Sequence, residues 1–407
     1  MSLTLFTNIA EIITNQGVAQ KKGIGVQEKD LSIISHGALL WDFKKGIQWI
    51  GKADAIPNMP NKKIKIVSLK NKTLAPAFVD CHTHLVFAGS RHEELALRLQ
   101  GASYQDIAKT GGGILSTVKA TRRASFSELY ELSKKCLEIL LKQGVGIIEI
   151  KSGYGLNWET EKKLLKVIQK LSAQTTMLIH STFLGAHAFP PEFKKENYVH
   201  ELIHNMLPMV KKEGLATACD VFFDEGYFNK QQTVSILEKA LKLGLKIKLH
   251  ADELANTGGA MLAGKMKALS ADHLLKADLS GLKKMASAGT VAVLLPGTAF
   301  YLKLPYADMN KMRKAKVCTA LASDFNPGSS PILNFPFILS LAIFQMGMTF
   351  SEAFAAATYG GACALGIQKE HGFLKVGLKP KIAIFNCPSY KALFSNVAHP
   401  GMCEVVL

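Results

Sequence analysis

The chain has 407 residues, longer than the size at which one hydrophobic core usually stops growing, so a large domain with a smaller companion is expected. Hydrophobic residues make up 48% and charged residues 20%, which excludes a disordered or fibrous chain. The net charge of +17 raises the question of a nucleic-acid partner, but the lysines are scattered along helix-like stretches such as "TEKKLLKVIQKLSAQ", with no arginine-rich block, so a solvated basic surface or attraction of a small anionic substrate is the expectation.

The opening "MSLTLFTNIAEIITNQG" lacks a basic start and carries Glu11, so it reads poorly as a signal peptide, and no stretch approaches the roughly 18 apolar residues of a membrane span. Seven cysteines lie far apart without a C-x-x-C, as expected of free thiols in a reducing cytoplasm. Residues 1–74 contain short strand-like pieces with turns, among them "GALLWD" and "KKIKIVSL".

From residue 75, eight short apolar runs follow: "APAFVD" (75–80), "VGIIEI" (145–150), "MLIHSTF" (177–183), "CDVFF" (219–223), "KIKLH" (246–250), "ALSADH" (268–273), "VAVLL" (291–295) and "CTALAS" (318–323). Amphipathic stretches of helical length, such as "FSELYELSKKCLEILLKQG" and "NKQQTVSILEKALKLG", separate most of them. Strands alternating with helices form parallel βαβ units, and eight of them predict a closed (β/α)8 TIM-type barrel over 75–372. A doubly wound open sheet is the alternative, but no Gly-rich phosphate turn accompanies it. Residues 373–407 read as strand, turn, strand, and both ends are too short for cores of their own. They are expected to meet, 1–74 with 373–407, in one small β-sandwich domain. The fold class is thus α/β.

Unusual polar residues follow almost every run: "DCHTH", "KSGYG", "LGAHA", "DEGYF", "HADE", "SADH" and "SDFNPGSS". Barrels of this type carry their active sites at the C-terminal ends of the strands. In extended chain His82 and His84 project to the same face, where they can grip one metal ion, while Cys81 points the other way into packing. Further ligands are expected from His250, His273 and Asp324, each at a strand end. Imidazole and carboxylate suit Zn(II) or iron, with a position left for water. Run four offers no lysine to bridge two metals, so one is expected.

With "HTHLVFAGSR", "GGGILSTV", "KSGYGL", "TFLGAHAFP", "HADE", "SADHL" and "SDFNPGSSP" in place, the chain resembles the imidazolonepropionase family of the amidohydrolase superfamily over essentially its full length. "HTH" and the strand order mark only the superfamily; "KSGYGL", "FLGAHA" and "SDFNPGSSP" are narrower. Ala77 and Cys81 stand where Gly and Pro are expected, and Ser181 where Thr is usual.

The resemblance implies hydrolysis of the cyclic amide C–N bond of 4-imidazolone-5-propanoate to N-formimidoyl-L-glutamate, with a metal-activated water, in a cytoplasmic homodimer. It implies one Zn(2+) or Fe(2+/3+) on His82, His84, His250 and Asp324. Asp324, His273 and Glu253 are the candidate catalytic groups. His273 either completes the metal shell or stabilises the oxyanion, and which of the three is the general base stays open. A guanidinium matches the propanoate tail, which points to Arg91. Tyr154, His187, Glu253, Asn326, Gly328 and Ser329 complete the expected substrate contacts. The "TGGGI" run (110–114) reads as a plain flexible loop or as a lid or carboxylate cradle on the propanoate side. Rival readings are a deaminase or another cyclic amidase of the same superfamily and, from a different class, a basic scaffold with a structural metal. A structural zinc site is usually closed and cysteine-rich, which the scattered cysteines do not support.

Overall fold

The computed structural model describes residues 3–58, 63–101, 112–399 and 402–407. In chain order, five strands come first: β1 (Leu3–Ile13), β2 (Ile33–Asp42), β3 (Gly46–Lys52), β4 (Lys65–Ser68) and β5 (Thr73–Pro76). Eight more follow: β6 (Phe78–Asp80), β7 (Val145–Lys151), β8 (Leu178–Ala186), β9 (Ala218–Phe223), β10 (Lys246–Ala251), β11 (Ser270–His273), β12 (Val291–Leu294) and β13 (Thr319–Leu321). β14 (Ile382–Phe385) and β15 (Cys403–Val406) end the chain.

Strands β6 to β13 pair in chain order, every neighbour parallel. The chain just past β6 closes the ring: Thr83 bridges in parallel to Phe325, the His84 N–H donates to Phe325 O at 3.0 Å, and the Asp324 N–H donates to His82 O at 3.0 Å. Strand and helix alternate as the period change predicts. Two of the helices start where reciprocal side-chain caps satisfy free N–H groups: Ser125 with Glu128 before Phe126–Leu141, and Asn229 with Gln232 before Lys230–Lys242.

The other seven strands form one mixed sheet in the order β15-β14-β5-β1-β2-β3, with β4 also on β1. Both chain ends therefore build the small β domain, with separate apolar clusters around Trp41 and around Leu5. The run 75–80 is divided. Ala75 and Pro76 belong to β5 and pair with β14, and only Phe78–Asp80 enter the barrel. Phe78 then packs on Phe385 of β14, ring centroids 5.3 Å apart, and on Phe335 at 5.4 Å, which ties the two sheets together. Gly144 lies at φ +90, where a side chain is rarely tolerated, and a Cβ there would come within 2.6 Å of the Phe385 ring. Among the described residues no helix is long and apolar enough to cross a membrane.

Candidate active site

Every polar segment singled out in the sequence, apart from residues that the structure does not describe, sits at the C-terminal mouth of the barrel. His82 and His84 lie just past β6 on either side of Thr83, in the segment that closes the ring. His250 is on β10 and His273 ends β11. Asp324 follows β13. His273 (φ 78) and Asp324 (φ 51) adopt left-handed backbone that non-glycine residues rarely take, a strain that concentrates at functional sites.

These groups converge out of solvent. The Nε2 atoms of His82 and His84 are 3.2 Å apart, and each lies 3.4 Å from Asp324 Oδ1. His250 Nε2 is 3.4 Å from His84 Nε2. The triplets His82–His84–Asp324, His82–His250–His273 and His84–His187–His250 each bring donor atoms within 4.8 Å of one another. Two facing Nε2 atoms at 3.2 Å can share only one proton, so at least one presents a bare lone pair.

Electrostatics favours the same reading. Burial lowers the pKa of His84, and that of His250 to about 4, against the pull of Asp324 and Asp220 respectively. It puts His187 and His273 well below their ordinary value. Burial would raise Asp324, but the His82 and His84 side chains 3.4 Å away hold it well below the usual carboxylate range. Burial and Lys151 oppose charge on His82, yet Asp272 and Asp324 outweigh them and raise it to about 8. The imidazoles of His84, His250 and His273, neutral beside an ionised carboxylate, are a donor set a metal cation takes, and His82 joins it once the cation displaces its proton, so the residues present fit one.

Above this floor opens a cavity of about 360 Å³, lined by His84, His187, His250, His273, Glu253, Asp324, Tyr154, Asn326, Gly328, Ser329 and Arg91 among others. Of the predicted residues only His82 is absent from its wall. His187 stacks on His84, centroids 4.9 Å apart, and its Nδ1 is 3.0 Å from Gly153 O. The Glu161 carboxylate accepts N–H bonds from Gly153, Gly155 and Leu156, which shapes the loop carrying Tyr154. Asn326 Oδ1 accepts from the N–H groups of Gly328 and Ser329 at 2.8 Å each and sets their turn. Glu253 lies in the loop after β10 and is buried, with Oε2 3.4 Å from His273 Nε2. Burial, with Asp324 and Asp224 adding repulsion, raises its pKa to about 8.

Arg91 meets Glu94 through Nε (2.8 Å) and Nη2 (2.7 Å), and Glu94 also accepts from the Gly113 N–H at 2.9 Å. Thr110 and Gly111 of the "TGGGI" run lie outside the described residues.

Several site residues escaped sequence reasoning. Arg98 also lines the cavity, donates to Gly328 O at 3.3 Å and lies over the Tyr301 ring at 5.1 Å. Asp224 accepts from the N–H groups of Glu253, Leu254 and Ala255 and so fixes the Glu253 loop. Beneath the histidines sit Glu149, Lys151, Asp220, Lys248 and Asp272, all buried. Asp272 Oδ2 is 2.6 Å from His82 Nδ1, and Asp220 Oδ2 is 3.0 Å from His250 Nδ1. A signal for three of them existed: Glu149 and Lys151, and Lys248 and His250, stand two apart in apolar runs, the spacing of one strand face.

A family model described as the amidohydrolase family matches residues 73–406. Among curated proteins, the chain is 44% identical to an imidazolonepropionase of Shouchella clausii over 98% of this chain and 90% of that one. It is 41% identical to one of Bdellovibrio bacteriovorus, over 97% and 92%. Among solved structures it resembles a triazine hydrolase variant (TM-score 0.73, 12% identity, 100% and 93% covered). It also resembles a Xanthomonas campestris adenosine deaminase solved with bound zinc (0.71, 15%, 99% and 91%). At such identities these likenesses speak for the fold.

Proposed function

The chain belongs to the amidohydrolase family, and from that premise we propose that it hydrolyses the ring amide C–N bond of 4-imidazolone-5-propanoate, giving N-formimidoyl-L-glutamate in histidine degradation. The observation that carries this reading is one cavity with the histidine–aspartate cluster in its floor and Arg91 in its wall. That pairing suits a small ring with a carboxylate tail. Relatives more than 40% identical over nearly their whole length bear the matching name.

His82, His84, His250 and Asp324 would hold one cation, zinc or iron. Bound there, it would supply Lewis acidity and a water acidic enough to attack at neutral pH. The protein's own groups do the rest. Asp324 stays ionised and can accept the proton of the attacking water; Thr298 Oγ1 donates to its Oδ2 at 2.6 Å and orients it. His273 is kept neutral by burial and can donate a hydrogen bond to the oxygen that gains charge. Glu253 is protonated below about pH 8 and can pass its proton to the leaving ring nitrogen. Arg91, Tyr154 and the turn of Asn326, Gly328 and Ser329 would hold the propanoate side, with His187 against the ring. The proposal extends to a cytoplasmic homodimer with its barrel over 75–372 and its end domain over 1–74 and 373–407.

The test is turnover of substrate generated fresh from urocanate by urocanase, followed by ultraviolet absorbance. Loss that stops on metal stripping and returns with zinc or iron is expected. No loss beyond spontaneous decay, with metal present, would send the assignment to other cyclic amides or to deaminase substrates.

A further inference from the structure

The second donor cluster of the barrel lies directly under the first. Donor atoms of His82, Glu149 and Asp272 also come within 4.8 Å of one another, and Asp220 joins them through Lys151. Two carboxylates and a ring nitrogen in a closed space, with the third carboxylate of Asp220 one Lys151 contact away, can take a divalent cation. Two ammonium groups occupy that space instead. Lys151 Nζ is 2.8 Å from Asp220 Oδ2, 2.9 Å from Glu149 Oε2 and 3.6 Å from Asp272 Oδ2. Lys248 Nζ is 2.6 Å from Glu149 Oε2 and 3.8 Å from Asp272 Oδ2, and donates to Cys81 O at 2.9 Å.

We infer that Lys151, with Lys248, is a built-in counter-cation: it fills the position a second metal ion would otherwise take and makes the centre above it mononuclear. The inference rests on the proposed cation at His82, His84, His250 and Asp324.

Three observations support it. Both lysines are fully buried, so their charges have no solvent to face and are met by the carboxylates and, for Lys248, the Cys81 carbonyl. Burial disfavours the Lys151 ammonium, but Asp220, Glu149 and Asp272 outweigh it and keep the group charged. Asp220 Oδ1 is buried with no hydrogen-bond partner among the described residues, so the cluster retains a donor atom that the lysines leave unused. The two carboxylates that contact ligand histidines, Asp272 and Asp220, are the ones Lys151 bridges. It therefore positions His82 through Asp272 and holds Asp220 3.0 Å from His250 Nδ1, and touches none of the proposed ligands itself.

The test is titration of metal-free protein with manganese(II), a hard ion that thiols take poorly, read by bound metal per chain and by electron paramagnetic resonance. Wild type is expected to bind one ion per chain with an isolated-ion spectrum. Lys151→Ala is expected to bind two, with the spectrum of an exchange-coupled pair, and Lys151→Arg to return to one. Should Lys151→Ala not fold, the same gain at Lys248→Ala carries the test. Two ions in wild type, or one ion in the folded alanine variants, would overturn the inference. No ion in wild type would instead sink the metal assignment of the upper site.

Discussion

His82 Nδ1 donates to Asp272 Oδ2 at 2.6 Å, and both side chains are shut off from solvent. Burial would raise the Asp272 carboxyl, but Lys248, Lys151 and His82 hold it well below the usual range, so it acts as a fixed acceptor. The bond sets the ring orientation of His82 and turns its Nε2 toward His84 and Asp324. Such partners of a ligand histidine commonly govern about 10- to 100-fold in metal affinity. Asp272→Asn is expected to weaken metal binding by about that factor, measured by competition with a chelator; unchanged affinity would show that His82 is not held through Asp272.

Removal of the metal is expected to abolish turnover and to leave the far-ultraviolet circular dichroism intact. The fold has its own core around the barrel and does not depend on the centre for burial. His82→Ala is expected to lose bound metal and turnover together. Normal metal content with normal turnover would remove His82 from the ligand set.

Gly328 and Arg91 form a second testable pair. A Cβ on Gly328 would lie 1.8 Å from Arg91 Nη1, so the guanidinium reaches its position only because residue 328 has no side chain. Arg91→Met is expected to raise KM by about ten- to a hundred-fold, the worth of a charge-assisted hydrogen bond, with metal content unchanged. Gly328→Ala should move KM in the same direction by displacing the guanidinium. Lost metal in Arg91→Met, or an unmoved KM in both variants, would contradict the assignment.

The pH dependence of stability should report Glu253 in the metal-free protein. Its folded pKa, about 8, lies above the ordinary 4.5. The folded state then binds the extra proton between those values, so the stabilisation is complete below about pH 4.5 and is lost as the pH rises to about 8. The slope is on the order of 1 kcal/mol per pH unit. Glu253→Gln should lose this part of the slope, seen by urea unfolding at about pH 5 and about pH 7.5; parallel slopes in the two proteins would refute the raised pKa.

Chain order alone carried the architecture. Strand order around the barrel follows sequence order, so alternating short apolar runs and amphipathic stretches were enough to predict eight parallel strands, and their polar C-terminal ends pointed to the mouth. These are local periodicities, and the structure keeps them: "VGIIEI" becomes Val145–Lys151 and "KIKLH" becomes Lys246–Ala251. The division of 75–80 between two sheets was not legible, because the run is apolar throughout and only pairing with β14 separates Pro76 from Phe78. The charged layer under the histidines was not legible either. A lysine in a strand reads as solvent-facing until the barrel closes and makes that face an interior. The 2.8 Å contact of Lys151 with Asp220 spans 69 residues, and that of Lys248 with Glu149 spans 99. Periodicity reports which face a residue shares; only ring closure decides whether that face meets water or four other charges.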